Sequence, residues 1–582
     1  MKKRGKQLLT IGLSMVMALS AVGCGSNSVK VTGSAENTQK SETVQSTATK
    51  EEESYYNEEG YPICDEPITL SIAMPDDTGL NQDSKRIQLE EYASRLGINL
   101  EIHAYSSESY ATQLTLMMAN DEMYDLVVNS GYSAAEVHDC GEQGYLLDLA
   151  QYMELMPNLQ KVFNSNLAYQ NINTYEDGTM YGLVQLQETT PTKVFIDKNW
   201  LENLDLEIPT SVEELYDVLK AFKEKDANGN GDTEDEIPMQ YTYCRDFTDN
   251  LLLGAFGMTP NEVKIPVDTD ENGEVRLSFM SDNYKAYLQY LNKLYTEGLI
   301  DQEAFSVSND IVKQNYVDDK IGFGGEYAPF ATTGSSVETD VDVAYAIVSL
   351  TSEYSEEPIA VWPYAFSDSN KIMVSANCEY PEAACRFIDY LYTAEGAMSA
   401  MYGYEGISFT MKEVPGMDQV ATLTVPDSYA SQDEYRTKEV VLNSKLNICT
   451  PYVIPDSPYL SGFKKLCNAV PKYRNGEMDE ETYENLRRQQ GYGMLIAEGT
   501  MAEGVTIVNN YPPLSYTTEE GEIRSRVRDA ISNYLTDTKA QFIIGNLDFE
   551  ADWDDYINEL NSMGAQELLQ VEQSAYGRYM AQ

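Results

Sequence analysis

A chain of 582 residues with 94 acids against 40 lysines and arginines carries a formal charge of −54, which speaks against nucleic acid or anionic lipid as a partner. Its two histidines, His103 and His138, leave no HExxH metallopeptidase and make a Ser-His-Asp or Cys-His hydrolase hard to build. No Walker A loop, GxSxG or strand-borne GxGxxG occurs, while 42% hydrophobic residues suffice for the cores of two or more domains.

The chain opens MKKRGKQLLTIGLSMVMALSAVGCGSNS. Lys2, Lys3, Arg4 and Lys6 precede an apolar run from Leu8 to Val22, the layout of a secretory signal over residues 1–23. The run is short for a spanning helix. "AVGC" resembles the lipobox of bacterial lipoproteins, with Ala21 where Leu is commonest. The resemblance implies a lipidated, palmitate-bearing Cys24 that anchors the protein to the outer face of the cell membrane; two or three acyl chains would hold it stably. The leader takes away four positive residues and no acids, so −54 becomes −58. Residues 24–61 are rich in Ser, Thr and Glu and predict a disordered tether. No later run approaches the length of a transmembrane helix, which places the folded part outside the cytoplasm. Cys64, Cys140, Cys244, Cys378, Cys385, Cys449 and Cys467 remain, odd in number and scattered, which does not indicate a disulfide framework.

From Pro67 the pattern is strand (PITLSIAMP), helix (KRIQLEEYASRLG), strand (INLEIHAYS), helix (SYATQLTLMMAND) and buried strand (YDLVVNS). That alternation predicts a parallel α/β sheet, with ligand-facing loops at the carboxyl ends of its strands, Asp76–Ser84 and Asn129–Ser133. "FIDK" predicts another strand, and a helix follows with Thr210 or Ser211 as its cap and Leu215, Leu219 and Phe222 on its apolar face. The stretch DANGNGDTEDE begins where that helix stops. A further helix follows Tyr380, and the tail carries a long helix with Ile523, Val527, Ile531 and Leu535 on one face, then helices near Trp553–Met563 and up to Tyr579. Trp200 and Trp553 are expected to be core anchors, Cys378 and Cys385 to be structural, and the two histidines to be ordinary surface or core residues.

"LTLMMANDEMYDLVV", "DGTMYGL", "IDKNWLENLDLEIPTSVEELYDVLKAFKEKDANGNG", "YLNKLYTEGLIDQE", "YPEAACRFIDYLYTAEG", "YGYEGISF" and the tail from Pro512, taken in order, resemble the family 1 extracellular solute-binding proteins. The likeness is to the large Gram-positive lipoproteins that serve carbohydrate ABC importers. Tyr124 stands where that family usually has Pro, Asp205 where it has Gly, and Tyr327 where a Trp is common. The resemblance implies a two-lobe α/β clamp with crossing hinge strands and a helical C-terminal tail. Lobe one would be 66–186 plus 366–445, and lobe two 187–365 plus 446–582. A ligand that touches both lobes only when they are closed shifts the open–closed population, and the closed form is what a permease pair could recognise.

Asp226, Asn228 and Asn230 supply oxygens at positions 1, 3 and 5 of an EF-hand-like loop. Gly231 permits the turn at position 6, and Asp232 offers a carbonyl at position 7. Ile237 occupies position 12, where an EF-hand has Glu, so Asp235 and Glu236 would have to close a tighter loop. The expectation is a structural Ca2+ rather than a sensor. Sugar sites stack aromatic rings and aim carboxylates or amides at hydroxyls. Position selects Asp76, Asp77, Ser130, Tyr132, Tyr181, Tyr327 and Trp362 as candidate ligand contacts among 43 tyrosines and many acids.

Together these readings describe a monomeric, lipid-anchored protein that captures an oligosaccharide for an ABC importer, without catalysis of its own. The alternatives are the same fold holding a peptide or an anionic saccharide, for which Arg245 is a candidate cation, a sensor for a membrane kinase, or a surface glycoside hydrolase with two acids across the cleft.

Overall fold

The computed structural model describes residues 54–581 apart from 76–86, 133, 188, 271, 335, 365, 415–416, 425, 427, 429–445, 456 and 458–461. The signal segment, Cys24, most of the expected tether, Asp76 and Asp77 lie outside the described residues.

The first sheet has five strands in the order Ile98–Tyr105, Ile68–Pro75, Leu126–Val128, Phe366–Val374 and Leu183–Leu186. The first three are parallel, with Ile68 opposite Ile98 and Ile72 opposite Leu126; Phe366–Val374 runs antiparallel to both of its neighbours. Strand side chains alternate between faces, and the core divides accordingly. Ile72, Met74, Leu126 and Val128 pack on one face with Tyr92, Phe387 and Tyr390. Ala73 and Val127 pack on the other with Tyr110 and Leu114 from the helix Ser107–Asn120. Burial on both faces explains why these strands read as continuous apolar runs. Leu446, Ile448, Cys449 and Ile454 join this first core.

The second sheet has the order Ala344–Ala346, Val194–Asp197, Ile321–Gly325 and Ile237–Met239. Val194–Asp197 is antiparallel to both neighbours, whereas Ile237–Met239 runs parallel to Ile321–Gly325. A Cβ at Gly322 would sit 2.5 Å from the Phe222 ring and 2.7 Å from that of Trp200, so the glycine is what lets two helices seat on this strand. Trp200 is fully buried and its Nε1 donates to Asp319 Oδ1 at 3.1 Å; Trp553 is also buried, as expected of anchors. Asp205 takes a left-handed φ of 54°, which accounts for the glycine usual there in the family it resembles.

The helix Val212–Glu224 is capped by Ser211, whose hydroxyl accepts from Glu214 N, while Glu214 accepts from Thr210 N at 2.8 Å. Both residues expected to cap therefore take part. The tail folds as helices Thr518–Ile544, Trp553–Ser562 and Ala565–Met580 against the second core. One segment crosses between the sheets, joining Leu183–Leu186 to Val194–Asp197; a second joins Phe366–Val374 to Ile359–Trp362, which pairs with Thr506–Asn509 in a small sheet of its own, and a third pairs with the first where Leu186 N donates to Ile448 O at 2.8 Å. Thr189 ties the first two segments together, donating to Pro363 O at 2.7 Å.

One boundary differs from expectation. Residues 54–61 read as the end of the tether, yet Tyr55 donates to Glu382 Oε2 at 2.5 Å and packs edge-on to Tyr380, and Tyr61 packs on Tyr390. Three tyrosines supply the apolar area that a Ser- and Glu-rich stretch lacks. The seven described cysteines are free thiols. Among the described residues no helix is long and apolar enough to cross a membrane.

Candidate functional site

Loops at one edge of each sheet form the two candidate faces. On the second sheet, the carboxyl ends of Ile237–Met239 and Ile321–Gly325 meet the amino end of the antiparallel Val194–Asp197. That edge brings together Lys193, the turn Gln240–Arg245, and Glu326 with Tyr327; Glu326 N donates to Lys193 O at 3.1 Å. The Gln240 side chain staples the turn. Its Oε1 accepts from Thr242 N and Tyr243 N at 3.0 Å each, and its Nε2 donates to Gly325 O at 2.8 Å. A Cβ on Gly325 would lie 2.5 Å from Cys244 O, so the approach of turn to strand requires glycine.

Tyr327 stands 58% exposed, edge-on to Tyr243 at 6.2 Å and to Phe247 at 5.8 Å between ring centroids. Lys193 Nζ lies 5.6–6.0 Å from the ring centroids of Tyr492, Tyr327 and Phe247, and burial pulls its ammonium down from the usual lysine range. Beside Tyr327 a cavity of about 670 Å3 is lined by Thr242, Arg245, Phe247, Phe305 and Asp537. Arg245 Nε is buried without a hydrogen bond, 4.0 Å from Asp249 Oδ2; that carboxylate already accepts from Lys539 Nζ at 2.7 Å. Under the platform, burial pushes the Glu326 carboxyl up to about 7, opposed by the Thr332 hydroxyl that donates to it. Cys244 has a φ of 51°, a left-handed conformation costly for a residue with a Cβ. An aromatic surface with a cation at its edge and a strained turn behind it suits a sugar ring, which offers an apolar C–H face and hydroxyls.

Among the described residues the first sheet's face is more closed. Ser130 follows Leu126–Val128, is buried, and its Oγ accepts from Tyr132 N at 3.1 Å. Tyr132 is half-buried, its hydroxyl 3.0 Å from Thr115 Oγ1 and 3.2 Å from Ala111 O. Tyr181 lies in the core, with its ring filling the space a Cβ on Gly141 would take and its hydroxyl donating to Glu142 at 3.2 Å. Trp362 is half-buried edge-on to Phe463, with centroids 5.2 Å apart. Of the residues selected by position, then, Tyr327 stands open, Ser130 and Tyr132 lie on the expected loop, and Tyr181 and Trp362 are held by packing. The platform also brings in Lys193, Tyr243, Phe247 and Tyr492, which position in the sequence does not select. The rule that ligands meet carboxyl ends of strands passes over Lys193, which sits at the amino end of an antiparallel strand.

The DANGNGDTEDE loop closes on itself. Asp226 Oδ2 accepts from Gly231 N at 2.9 Å, Asn228 Oδ1 from Asn230 N at 3.0 Å, and Asn230 Oδ1 from Asp232 N at 2.7 Å. Glu236 Oε1 accepts from Ala227 N at 3.0 Å, and Asn230 Nδ2 donates to Asp235 at 3.2 Å. Two carboxylate oxygens, Asp226 Oδ1 and Glu236 Oε2, are buried with no hydrogen-bond partner. Burial first, then the Asp235 and Asp226 charges, raise the Glu236 carboxyl. Unpartnered buried anionic oxygens on a loop of further oxygen donors are what a hard divalent cation would satisfy, so the residues fit calcium.

Residues 82–398, more than half of the chain, match the family described as bacterial extracellular solute-binding protein. The fructooligosaccharide ABC transporter substrate-binding protein FusA of Streptococcus pneumoniae is 25% identical over 511 residues, covering 86% of this chain and 88% of its own. A structure of a FusA EF-hand mutant in complex with fructo-nystose superposes with a TM-score of 0.65 at 22% identity, over 88% of this chain and 100% of that one. An HMO-binding, ABC-transporter-associated solute-binding protein from Bifidobacterium longum infantis gives 0.65 and 22%, over 88% and 99% of the two chains.

Proposed function

The chain belongs to the bacterial extracellular solute-binding proteins, and from that premise we propose that it captures an oligosaccharide between its two lobes and hands it intact to an ABC importer. The observation that carries this reading is the Tyr327 platform, an exposed ring braced by Tyr243 and Phe247 with Lys193 at its edge. Its composition suits stacking on a pyranose or furanose ring, and FusA, similar along most of the chain, is named for fructooligosaccharides. Lobe one is residues 66–186 plus 366–445 and lobe two is 187–365 plus 446–582, with the last boundary moved beyond Ile454 because Leu446, Ile448, Cys449 and Ile454 pack in the first core. Asp76, Asp77, Ser130 and Tyr132 are the contacts proposed from lobe one. The protein acts without turnover, as a monomer, held outside the cell membrane by lipidated, palmitate-bearing Cys24.

Calcium would be held by Asp226, Asn228, Asn230, Asp232, Asp235 and Glu236. When bound it supplies fixed positive charge to two buried carboxylate oxygens and the exposed donors around them. The chain's own contribution is to join the end of the helix Val212–Glu224 to the start of Ile237–Met239, the strand that leads into the stapled turn. The loop is thus a brace below the ligand face. The direct test is calorimetric titration of the calcium-saturated chain from residue 54 onward with neutral oligosaccharides, with chromatography of the recovered sugar. Saturable one-to-one binding of intact sugar is expected. Shortened sugar would instead identify a glycoside hydrolase.

A further inference from the structure

Among the described residues, one group of three histidine or carboxylate ligand atoms lies with all members within 4.8 Å of one another, formed by His138, Glu142 and Asp177. His138 and Glu142 are four apart on the helix Ala134–Glu142 and so share a face, while Asp177 projects from the turn Tyr175–Thr179. The His138 side chain is only 4% exposed, and its buried Nε2 has no hydrogen-bond partner although Asp177 Oδ2 is 3.9 Å away. A buried imidazole nitrogen without a partner is costly, and this one points at two carboxylates. The ring is held in place by Tyr175 at 4.1 Å and Tyr181 at 5.8 Å between centroids.

The carboxylates are set for the same purpose. Asp177 Oδ1 accepts from Thr179 N at 3.0 Å and Thr179 Oγ1 at 2.7 Å, which leaves Oδ2 facing the histidine. Glu142 Oε1 accepts from Tyr181 OH at 3.2 Å, which orients that carboxylate as an outer partner orients a metal ligand. We propose that His138, Glu142 and Asp177 bind one divalent transition ion of the zinc class. One imidazole and two carboxylates suit zinc chemically, and bonds of 2.0–2.2 Å need ligand atoms about 3.4 Å apart, a small rotation from the spacing seen. Asp177 is half-exposed and Glu142 exposed, so an ion can reach the histidine from solvent.

The position has a consequence for the clamp. Glu176, next to Asp177, pairs by charge with Arg578 of the tail, Nε to Oε2 3.1 Å apart, and donates its N–H to Tyr516 O at 3.4 Å. An ion tying the Asp177 turn to the helix Ala134–Glu142 would brace the surface on which the lobes touch. The site is separate from the calcium loop and does not depend on which solute is carried.

The experiment is calorimetric titration of ZnCl2 into the chain from residue 54 onward in excess calcium, with Co2+ absorption as a second readout. The wild type is expected to take one equivalent of Zn2+ and to give visible Co2+ d–d bands that Zn2+ displaces. Asp177→Asn, half-exposed and so harmless to folding, should weaken zinc by at least about tenfold with an unchanged melting temperature in chelator. His138→Asn should weaken it further and remove the bands, while Asp226→Asn should leave both untouched. No zinc uptake by the wild type, equal uptake by Asp177→Asn and His138→Asn, or loss of uptake only in Asp226→Asn would each overturn the proposal.

Discussion

The two faces of the clamp are built on the same plan and finished differently. Each begins where a buried strand runs out into a turn with a left-handed residue, Asn129 in the first lobe and Cys244 in the second. Asn tolerates that conformation, whereas Cys is strained in it. On the first lobe the groups beyond the turn satisfy one another: Ser130 accepts from Tyr132 N, and the Tyr132 hydroxyl reaches Thr115 and Ala111. On the second lobe they do not. Tyr327 stands open, Arg245 Nε is buried without a hydrogen bond, and Glu326 is held where its charge is unfavourable. The difference teaches that, among the described residues of the two faces, the second holds most of what a ligand could satisfy.

The largest effect that would sharpen this contrast is one of pH. Glu326 titrates at about 7 in the fold against 4.5 ordinarily, so the folded state holds its proton more tightly than the unfolded chain does. The group costs nothing below pH 4.5; its penalty grows between 4.5 and 7 and is full above, at most about 3 kcal/mol. Melting temperature should therefore fall from pH 5 to pH 8, and fall less in Glu326→Gln. Parallel curves for the two proteins would remove Glu326 from the account.

Calcium comes next. At a hundred times its dissociation constant the ion should stabilise the wild type by about 2.7 kcal/mol, and Asp226→Asn should lose most of that gain. Because Glu236 must ionise to bind, the gain should shrink as pH falls. A melting temperature indifferent to chelator would leave the two orphaned oxygens without this explanation. Tyr327→Ala should weaken oligosaccharide binding by about 2 kcal/mol, roughly thirtyfold in Kd, while leaving stability almost unchanged. The smallest effect belongs to the first lobe. Tyr132→Ala should cost stability about 1 kcal/mol through lost hydrogen bonds but change Kd less than about threefold. A reversal, with Tyr132 outweighing Tyr327 in calorimetry, would break the comparison outright.

What could be read from the residues alone follows from distance along the chain. The alternation of strand and helix, the Ser211 cap and the tail helices are local patterns, and they stand where they were expected. The acidic loop was legible for the same reason, with all its donors within eleven residues of sequence, Asp226 to Glu236. The Tyr327 platform was legible only in part. Tyr327 was found by its place in a family pattern, but Lys193, Tyr243, Phe247 and Tyr492 meet through a sheet register that no local pattern reveals. Tyr181 shows the converse, since a tyrosine at a crossover reads as accessible until the tight approach to Gly141 is seen. His138 looked ordinary because its two carboxylates come from different elements, one of them 39 residues further on.

The most direct test of the central claim is a thermal-shift series on the calcium-saturated chain from residue 54 onward, against neutral oligosaccharides, uronates and short peptides. At a hundred times Kd a true ligand adds about 2.7 kcal/mol, plainly visible as a rise in melting temperature. The account predicts that rise with at least one neutral oligosaccharide, recovered intact, and its loss in Tyr327→Ala. A rise confined to uronates or peptides, or none across the series, would contradict it.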